Sequence, residues 1–324
     1  MSESCRICGN SENNRRHTAR EMMFGTREQF EYLECALCGT IQLIDVPDLS
    51  RFYPEDYYAH NDAPLLEIER GWKRRIAARA ISRYLMGLPS RLGARLAKRR
   101  PWITAQFPEY IRTLVGRINF DSHILDYGCG RGDLLRTLRV FGFRDLTGAD
   151  KFIKSDLTYG GVNIYKRGLD ELEPGFDLVM LHHSFEHLPD PQNALAEVHR
   201  ILAPGGVALI RIPVVSFAWE KYGVNWVQLD PPRHLFLYTE RAFRRMADET
   251  GFAVESVTYD SEIFQFFGSE QYLADIPLND PRSYRGVIAK SIFTQSQIDE
   301  WQVLTAKLNA EGRGDQACFI LTRR

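Results

Sequence analysis

Residues 123–135 read HILDYGCGRGDLL. The apolar run His123–Tyr127 passes directly into Gly128-x-Gly130-x-Gly132 and then into residues that open a helix. Glycine lets a chain turn tightly and approach a ligand closely. A helix starting there presents unpaired backbone N–H groups, which suit a ligand carboxylate or phosphate. The third glycine comes two residues after the second, whereas the dinucleotide fingerprint G-x-G-x-x-G needs three. Asp126, at the strand end, would repel a pyrophosphate but attract an ammonium or a sulfonium. S-adenosylmethionine (SAM) carries both cations, and a carboxylate for the loop amides. An acid about twenty residues further on is expected to hold ribose hydroxyls, and Asp150 closes LTGAD at that distance from Gly130.

Outward from this loop, short apolar runs alternate with helical stretches, as in a parallel sheet covered on both faces. The runs are His123–Tyr127, Leu146–Ala149, Val162–Tyr165, Phe176–Leu181, Gly206–Pro213, Phe252–Tyr259 and Ala317–Thr322. They predict an α/β fold, a Rossmann-like sheet of seven strands, with a helix near Ser296–Asn309 between the last two.

DYGCGRGD, the acid ending the second strand, FDLVMLHHSFEHLPDP and LAPGG occur in the order found in class I SAM-dependent methyltransferases, which residues 105–324 resemble. The resemblance implies that Asp126, Tyr127, Gly128, Gly130 and Asp150 bind the cofactor. It implies that Leu169 and Asp170 flank adenine and that His182 or His183, after the fourth strand, lies beside the methyl group. His182 is assigned to the cofactor and His183 to catalysis.

Cys5-x2-Cys8 and Cys35-x2-Cys38 form two knuckles, each followed by a glycine. Four thiolates suit tetrahedral Zn(II), and a closed four-cysteine site leaves no open position for catalysis. A structural zinc in a ribbon-like module is expected, with a β-hairpin bridging the gap; Cys129 and Cys318 read as packing residues. Residues 1–45 form this module. Residues 46–118 are a connector rich in Pro and Tyr (Pro47, Tyr53, Pro54, Tyr57, Tyr58) and then a basic helical segment broken near Pro89 and Pro101. Residues 119–324 form the SAM domain. The zinc module, FYPEDYY and the SAM domain together look like bacterial methyltransferases of sugar and surface-polysaccharide biosynthesis, among them deoxysugar C-methyltransferases.

Beyond the fifth strand, VNWVQLDPPRHLFLYT falls where that family builds its substrate pocket. Two prolines stiffen DPPRH, so His234 is a candidate base for a hydroxyl or for a carbon next to a carbonyl. Pro231 stands where the sugar C-methyltransferases carry a tyrosine, which favours oxygen over carbon as the acceptor. Arg233 is a candidate for a substrate phosphate or carboxylate, and His187 reads as a residue that orients its turn.

With 44% hydrophobic and 26% charged residues the chain reads as globular rather than disordered. Net charge is -1, so no overall field points to nucleic acid. No apolar run is long enough to span a bilayer, and the N-terminus lacks a signal-peptide core, so the protein is expected in the cytoplasm. Residues 71–100 nevertheless hold ten Lys or Arg and no Asp or Glu. Trp72, Ile76, Ile81, Tyr84, Leu85 and Leu88 are read as one apolar helix face there. The segment is a solvated linker, an interfacial helix at the inner face of the membrane that would suit a lipid-linked acceptor, or an RNA grip. The leading expectation is methyl transfer to a hydroxyl of a small molecule or glycan. The alternatives are an RNA methyltransferase, disfavoured by the lack of an aromatic RNA-binding motif, a sugar C-methyltransferase, and a non-catalytic SAM-binding scaffold.

Overall fold

The structure is a computed structural model that describes residues 4–53, 67–284 and 286–324. Part of the predicted connector, including Pro54, Tyr57 and Tyr58, lies outside the described residues. In chain order come strands β1 (Arg15–Arg20), β2 (Gln29–Glu34) and β3 (Ile41–Leu43), then helices α1 (Trp72–Leu85), α2 (Arg91–Arg99), α3 (Pro101–Thr104) and α4 (Glu109–Arg112). Next are β4 (His123–Tyr127), α5 (Asp133–Phe141), β5 (Asp145–Ala149), β6 (Leu157–Tyr159), β7 (Val162–Tyr165) and β8 (Phe176–His182). The remainder is α6 (Pro191–Ile201), β9 (Leu202–Pro213), α7 (Phe217–Tyr222), β10 (Phe236–Leu237), α8 (Glu240–Glu249), β11 (Phe252–Tyr259), α9 (Phe264–Leu273), α10 (Gln295–Ala310) and β12 (Gln316–Arg323). Two compact units emerge. One gathers Met1–Pro54, Phe185–Asn193 and Arg211–Phe319, and the other Glu55–Ser184, Ala194–Ile210 and Ile320–Arg324.

The main sheet has the order β11-β12-β9-β8-β4-β5-β7-β6. β4 runs parallel to β5 and β8, and β5 to β7. Ile124, Leu125, Leu178, Val179 and Met180 are all fully buried, so these strands are apolar without alternation, as a sheet covered on both faces requires. The sheet has eight strands, not the seven expected. The addition is β6, which folds back antiparallel on β7 across Gly160-Gly161, both at positive φ. A Gly-Gly pair between short runs is a hairpin signal, but a three-residue strand is too short to show a period. The helix expected near Ser296–Asn309 is α10, opened by a capping box in which Thr294 accepts from the Gln297 N–H and the Gln297 side chain accepts from the Thr294 N–H.

A second sheet has the order β1-β2-β3-β10, with antiparallel pairs throughout. β1 and β2 are the hairpin expected between the two cysteine knuckles.

The basic segment is helical, with its breaks near Pro89 and at Pro101, which opens α3. Its apolar residues do not form one face. α1 buries Ala77, Ala78, Ile81 and Ser82, while Trp72, Ile76, Tyr84 and Leu88 are exposed. Small residues let α1 lie close to its neighbours, and the Ser82 hydroxyl donates to the Phe141 carbonyl at the end of α5. Arg136 of α5 is buried against Glu69, and its guanidinium also pairs with Asp133 at 3.0 Å. None of the described helices is long and apolar enough to cross a membrane.

Candidate functional site

The glycine loop joins β4 to α5. Gly128 has φ +74°, and a Cβ there would lie 2.4 Å from Cβ of Ser184; one at Gly132 would lie 2.5 Å from Cδ1 of Ile164. The Ser184 hydroxyl donates to the Tyr127 carbonyl at 2.8 Å, so the first glycine is dictated by the close approach of the chain after β8. Asp150 ends β5 and accepts from the N–H groups of Gly130 at 2.9 Å and Phe152 at 2.8 Å. Both its oxygens are thereby aimed, and each keeps a lone pair for a ligand hydroxyl.

Asp126 is 3% exposed, and no hydrogen bond among the described residues reaches its carboxyl group. Burial, reinforced by the Asp150 carboxylate, pushes that group up to about 8. A carboxylate made this costly to ionise is a site for a cation, so the residues present fit the ammonium and sulfonium of SAM. The Tyr127 phenol is pushed up to about 12 by burial and by Asp150, and it stands beside the Leu169 backbone and the Asp170 and Glu171 carboxylates. Asp126, Tyr127, Asp150, Leu169 and Asp170 therefore converge on one corner, with Leu169 buried and Asp170 exposed. His182 closes β8 with its ring 4.9 Å from that of Tyr110 and 5.0 Å from that of His183, which adopts φ +51°. Cys129 packs its sulfur over Gly148, the packing role expected of it.

In the first unit, Sγ of Cys5 lies 3.7 Å from Sγ of Cys38, and Sγ of Cys8 lies 3.5 Å from that of Cys35. All four sulfurs fall within 4.8 Å of one another. A tetrahedron with Zn–S bonds of about 2.3 Å has edges of about 3.8 Å, whereas a disulfide would need about 2.05 Å. The donor set and its spacing thus fit a tetrahedral thiophilic ion. Hydrogen bonds from Cys5 and then Thr40 push the Cys38 thiol down to about 4, despite burial, and the same pairing together with burial pushes Cys5 up.

The segment after α7 carries the candidate base. Asp230 has φ +42°, and the Pro231–Pro232 peptide is cis. His234 is buried, and its Nδ1–H donates to the Gln228 carbonyl at 2.7 Å. That bond sets the tautomer in which Nε2 carries the lone pair. Burial, then the neighbouring His187, lower the imidazole to about 4, with Asp230 and Glu186 pulling the other way, so it is neutral near pH 7. Nε2 lies 3.8 Å from Oε1 of Glu186 and 4.0 Å from Oδ2 of Asp230. His187 donates Nδ1–H to the Arg233 carbonyl at 2.8 Å, and its ring lies 4.8 Å from that of His234.

Arg233 is not a substrate ligand. Its guanidinium is wholly buried and paired with Asp230 at 2.5 Å and Glu21 at 3.1 Å. Glu21 in turn accepts from the N–H groups of Phe24 and Thr26, so Arg233 ties this segment to the turn after β1. Burial raises the Asp230 carboxyl, but the Arg233 charge outweighs it and holds the group below its ordinary range. The second sheet completes the mount. β10 follows His234 directly and pairs with β3, and the Tyr32 hydroxyl donates to the His234 carbonyl at 3.0 Å. Glu186 did not stand out in the sequence, because its place beside His234 depends on a pairing remote along the chain; Asp230, four residues before His234, is local to the DPPRH stretch.

A family model described as a methyltransferase domain matches residues 79–257, more than half of the chain. The chain belongs to that methyltransferase family. The ubiquinone biosynthesis O-methyltransferase of Caulobacter sp. (strain K31) is 32% identical over 127 residues, 35% of this chain and 50% of that protein. The chain thus spans about half the length of the curated relative it matches. Among solved structures, a SAM-dependent methyltransferase from Mesorhizobium loti covers 69% of this methyltransferase and 96% of its own chain at 19% identity, TM-score 0.40. The cyclopropane synthase MmaA2 from Mycobacterium tuberculosis covers 65% and 82% at 17% identity, TM-score 0.40.

Proposed function

We propose that this methyltransferase transfers the methyl group to a hydroxyl oxygen of a small molecule or glycan, a precursor in sugar or surface-polysaccharide biosynthesis, with His234 accepting the hydroxyl proton. The observation that carries the reading is the Nδ1–H bond from His234 to the Gln228 carbonyl, which leaves Nε2 as a fixed, neutral proton acceptor. Bound SAM would supply the methyl on a sulfonium, itself a good leaving group. The residues of this chain then have three tasks. Asp126 balances the cofactor's positive charge, Asp150 holds ribose hydroxyls, and Tyr127, Gly128, Gly130, Leu169, Asp170 and His182 shape its seat, with His183 beside the reacting methyl. His234 takes the proton while the acceptor oxygen gains the methyl and the S–CH3 bonding pair returns to sulfur. Most of the rate comes from alignment and exclusion of water. Pro231 in place of a tyrosine, and the O-methyltransferase name of the Caulobacter relative, support oxygen as the acceptor atom.

Cys5, Cys8, Cys35 and Cys38 hold a structural zinc in this reading, within the division into residues 1–45, 46–118 and 119–324. The exposed Trp72, Ile76, Tyr84 and Leu88 among ten basic residues support peripheral contact with the inner face of a membrane, and with it a lipid-linked acceptor in the cytoplasm. His234→Ala is expected to lower kcat by about 10²–10⁴-fold while leaving the calorimetric SAM affinity unchanged. Loss of both would make His234 structural, and no methyl transfer to any hydroxylated acceptor would end the reading.

A further inference from the structure

We propose that Glu186, His187 and His234 form a second metal site, one that takes a divalent first-row transition ion and leaves coordination positions open. All three belong to the first unit, and one ligand atom from each lies within 4.8 Å of the others. Two histidines and one carboxylate are the donor set that suits Mn(II), Fe(II), Co(II) or Zn(II), in contrast with the thiolates of the cysteine cluster. Three protein ligands leave room for water or a substrate oxygen, whereas four cysteines leave none.

The surroundings of the histidines match what a ligand set requires. A metal-bound histidine donates its other ring N–H to a carbonyl or carboxylate, which fixes the ring and bares the ligating nitrogen. Both histidines do this, His187 toward the Arg233 carbonyl at 2.8 Å and His234 toward the Gln228 carbonyl at 2.7 Å. No hydrogen bond among the described residues uses either Nε2. Glu186 is wholly buried, and its backbone carbonyl is held by the Leu235 N–H at 2.9 Å. Glu186 and His187 therefore sit on the turn after β8, and His234 on the segment leading into β10, joined by backbone as well as by side chains. Oδ2 of Asp230 stands 4.0 Å from Nε2 of His234 but is engaged by Arg233, which places it outside the ligand set as an orienting charge. A purely structural role would explain the two Nδ1–H bonds. The convergence of two imidazoles and a buried carboxylate within 4.8 Å is what a ligand set adds to that.

The binding does not depend on the acceptor reading, but the role does. With the ion bound, Nε2 of His234 would be a ligand and the ion would acidify an acceptor hydroxyl whose proton leaves to water; without the ion, that nitrogen remains the proton acceptor. The test uses the full-length protein with its cysteine-site zinc retained, dialysed against chelator and titrated with Mn(II) under electron paramagnetic resonance. One Mn(II) per chain is expected, with Glu186→Gln and His187→Ala each weakening it at least tenfold, about the effect of losing a supporting partner alone or more. Zinc content and SAM affinity should not change in either variant. Absence of stoichiometric Mn(II) binding to the wild type, or binding unchanged in both variants, overturns the site. Methyl transfer to a hydroxyl by protein that binds no Mn(II) would sink the metal site and keep His234 as base. Mn(II) binding without transfer to any hydroxyl would keep the site and sink the acceptor reading.

Discussion

Asp126 shows how one residue sets a pH dependence. Its folded pKa of about 8 stands above the ordinary carboxyl value of about 3.9. Between those values the folded protein holds a proton that the unfolded chain has lost. Stability therefore falls as pH rises through that window, and the full penalty is present above about pH 8. Asp126→Asn removes the penalty. Its melting temperature should match the wild type near pH 4 and exceed it increasingly up to about pH 8. SAM binding runs the other way, because a cation favours the ionised carboxylate. Wild-type affinity should strengthen by up to about tenfold per pH unit below 8 and then level off, and calorimetry in buffers of different ionisation enthalpy should show proton release. Asp126→Asn should bind SAM more weakly with no such slope; a slope retained in the variant assigns the proton elsewhere. Gly128→Ala carries the packing argument. Its Cβ would meet Ser184 at 2.4 Å, at a φ that costs a side chain about 1–3 kcal/mol, and a markedly lower melting temperature with weakened SAM binding is expected. Asp126 and Asp150 were legible because their positions relative to the glycines are local. Arg233 stood in the sequence only as a candidate, and its place in an internal ion pair was not legible because one partner, Glu21, lies more than two hundred positions away.

At the scale of elements, helix α8 and the second cysteine knuckle share one side chain. The Thr239 hydroxyl accepts from the Ala242 N–H at 3.1 Å as the N-cap of α8 and donates to the Cys38 carbonyl at 2.8 Å. Thr239→Ala should cost about 1 kcal/mol through the lost cap. It should also speed zinc release to a chelator, a second effect that Thr239→Ser, which keeps the hydroxyl, should spare. Equal release rates for both variants would show that the cap and the knuckle act independently. Elements with a clear period were legible, such as β11, whose bounds are those read from the sequence, and α10. β6 and β10, with three and two residues, were not. Each exists because a neighbouring strand edge was available, and no local pattern records that.

For the molecule as a whole, the N-terminal module is not a separate bead. Its sheet takes in β10, its Tyr32 holds the His234 carbonyl, and Arg6 lies over the ring of Phe236 at 4.3 Å. Cys35→Ser should therefore lower zinc content and methyl transfer together while SAM affinity, which belongs to the other unit, stays near that of the wild type. Retained turnover in zinc-free protein would separate the module from the acceptor segment. The same pairing has a consequence for synthesis. β3 ends at Leu43, but the strand that covers its free edge spans Phe236–Leu237, so a growing chain carries an open sheet edge until most of the protein has left the ribosome. Closing so long a loop is slow, and open edges recruit other chains. Expression should therefore be limited by self-association of nascent chains rather than by the stability of the finished fold, and slower translation or lower temperature should raise the soluble yield.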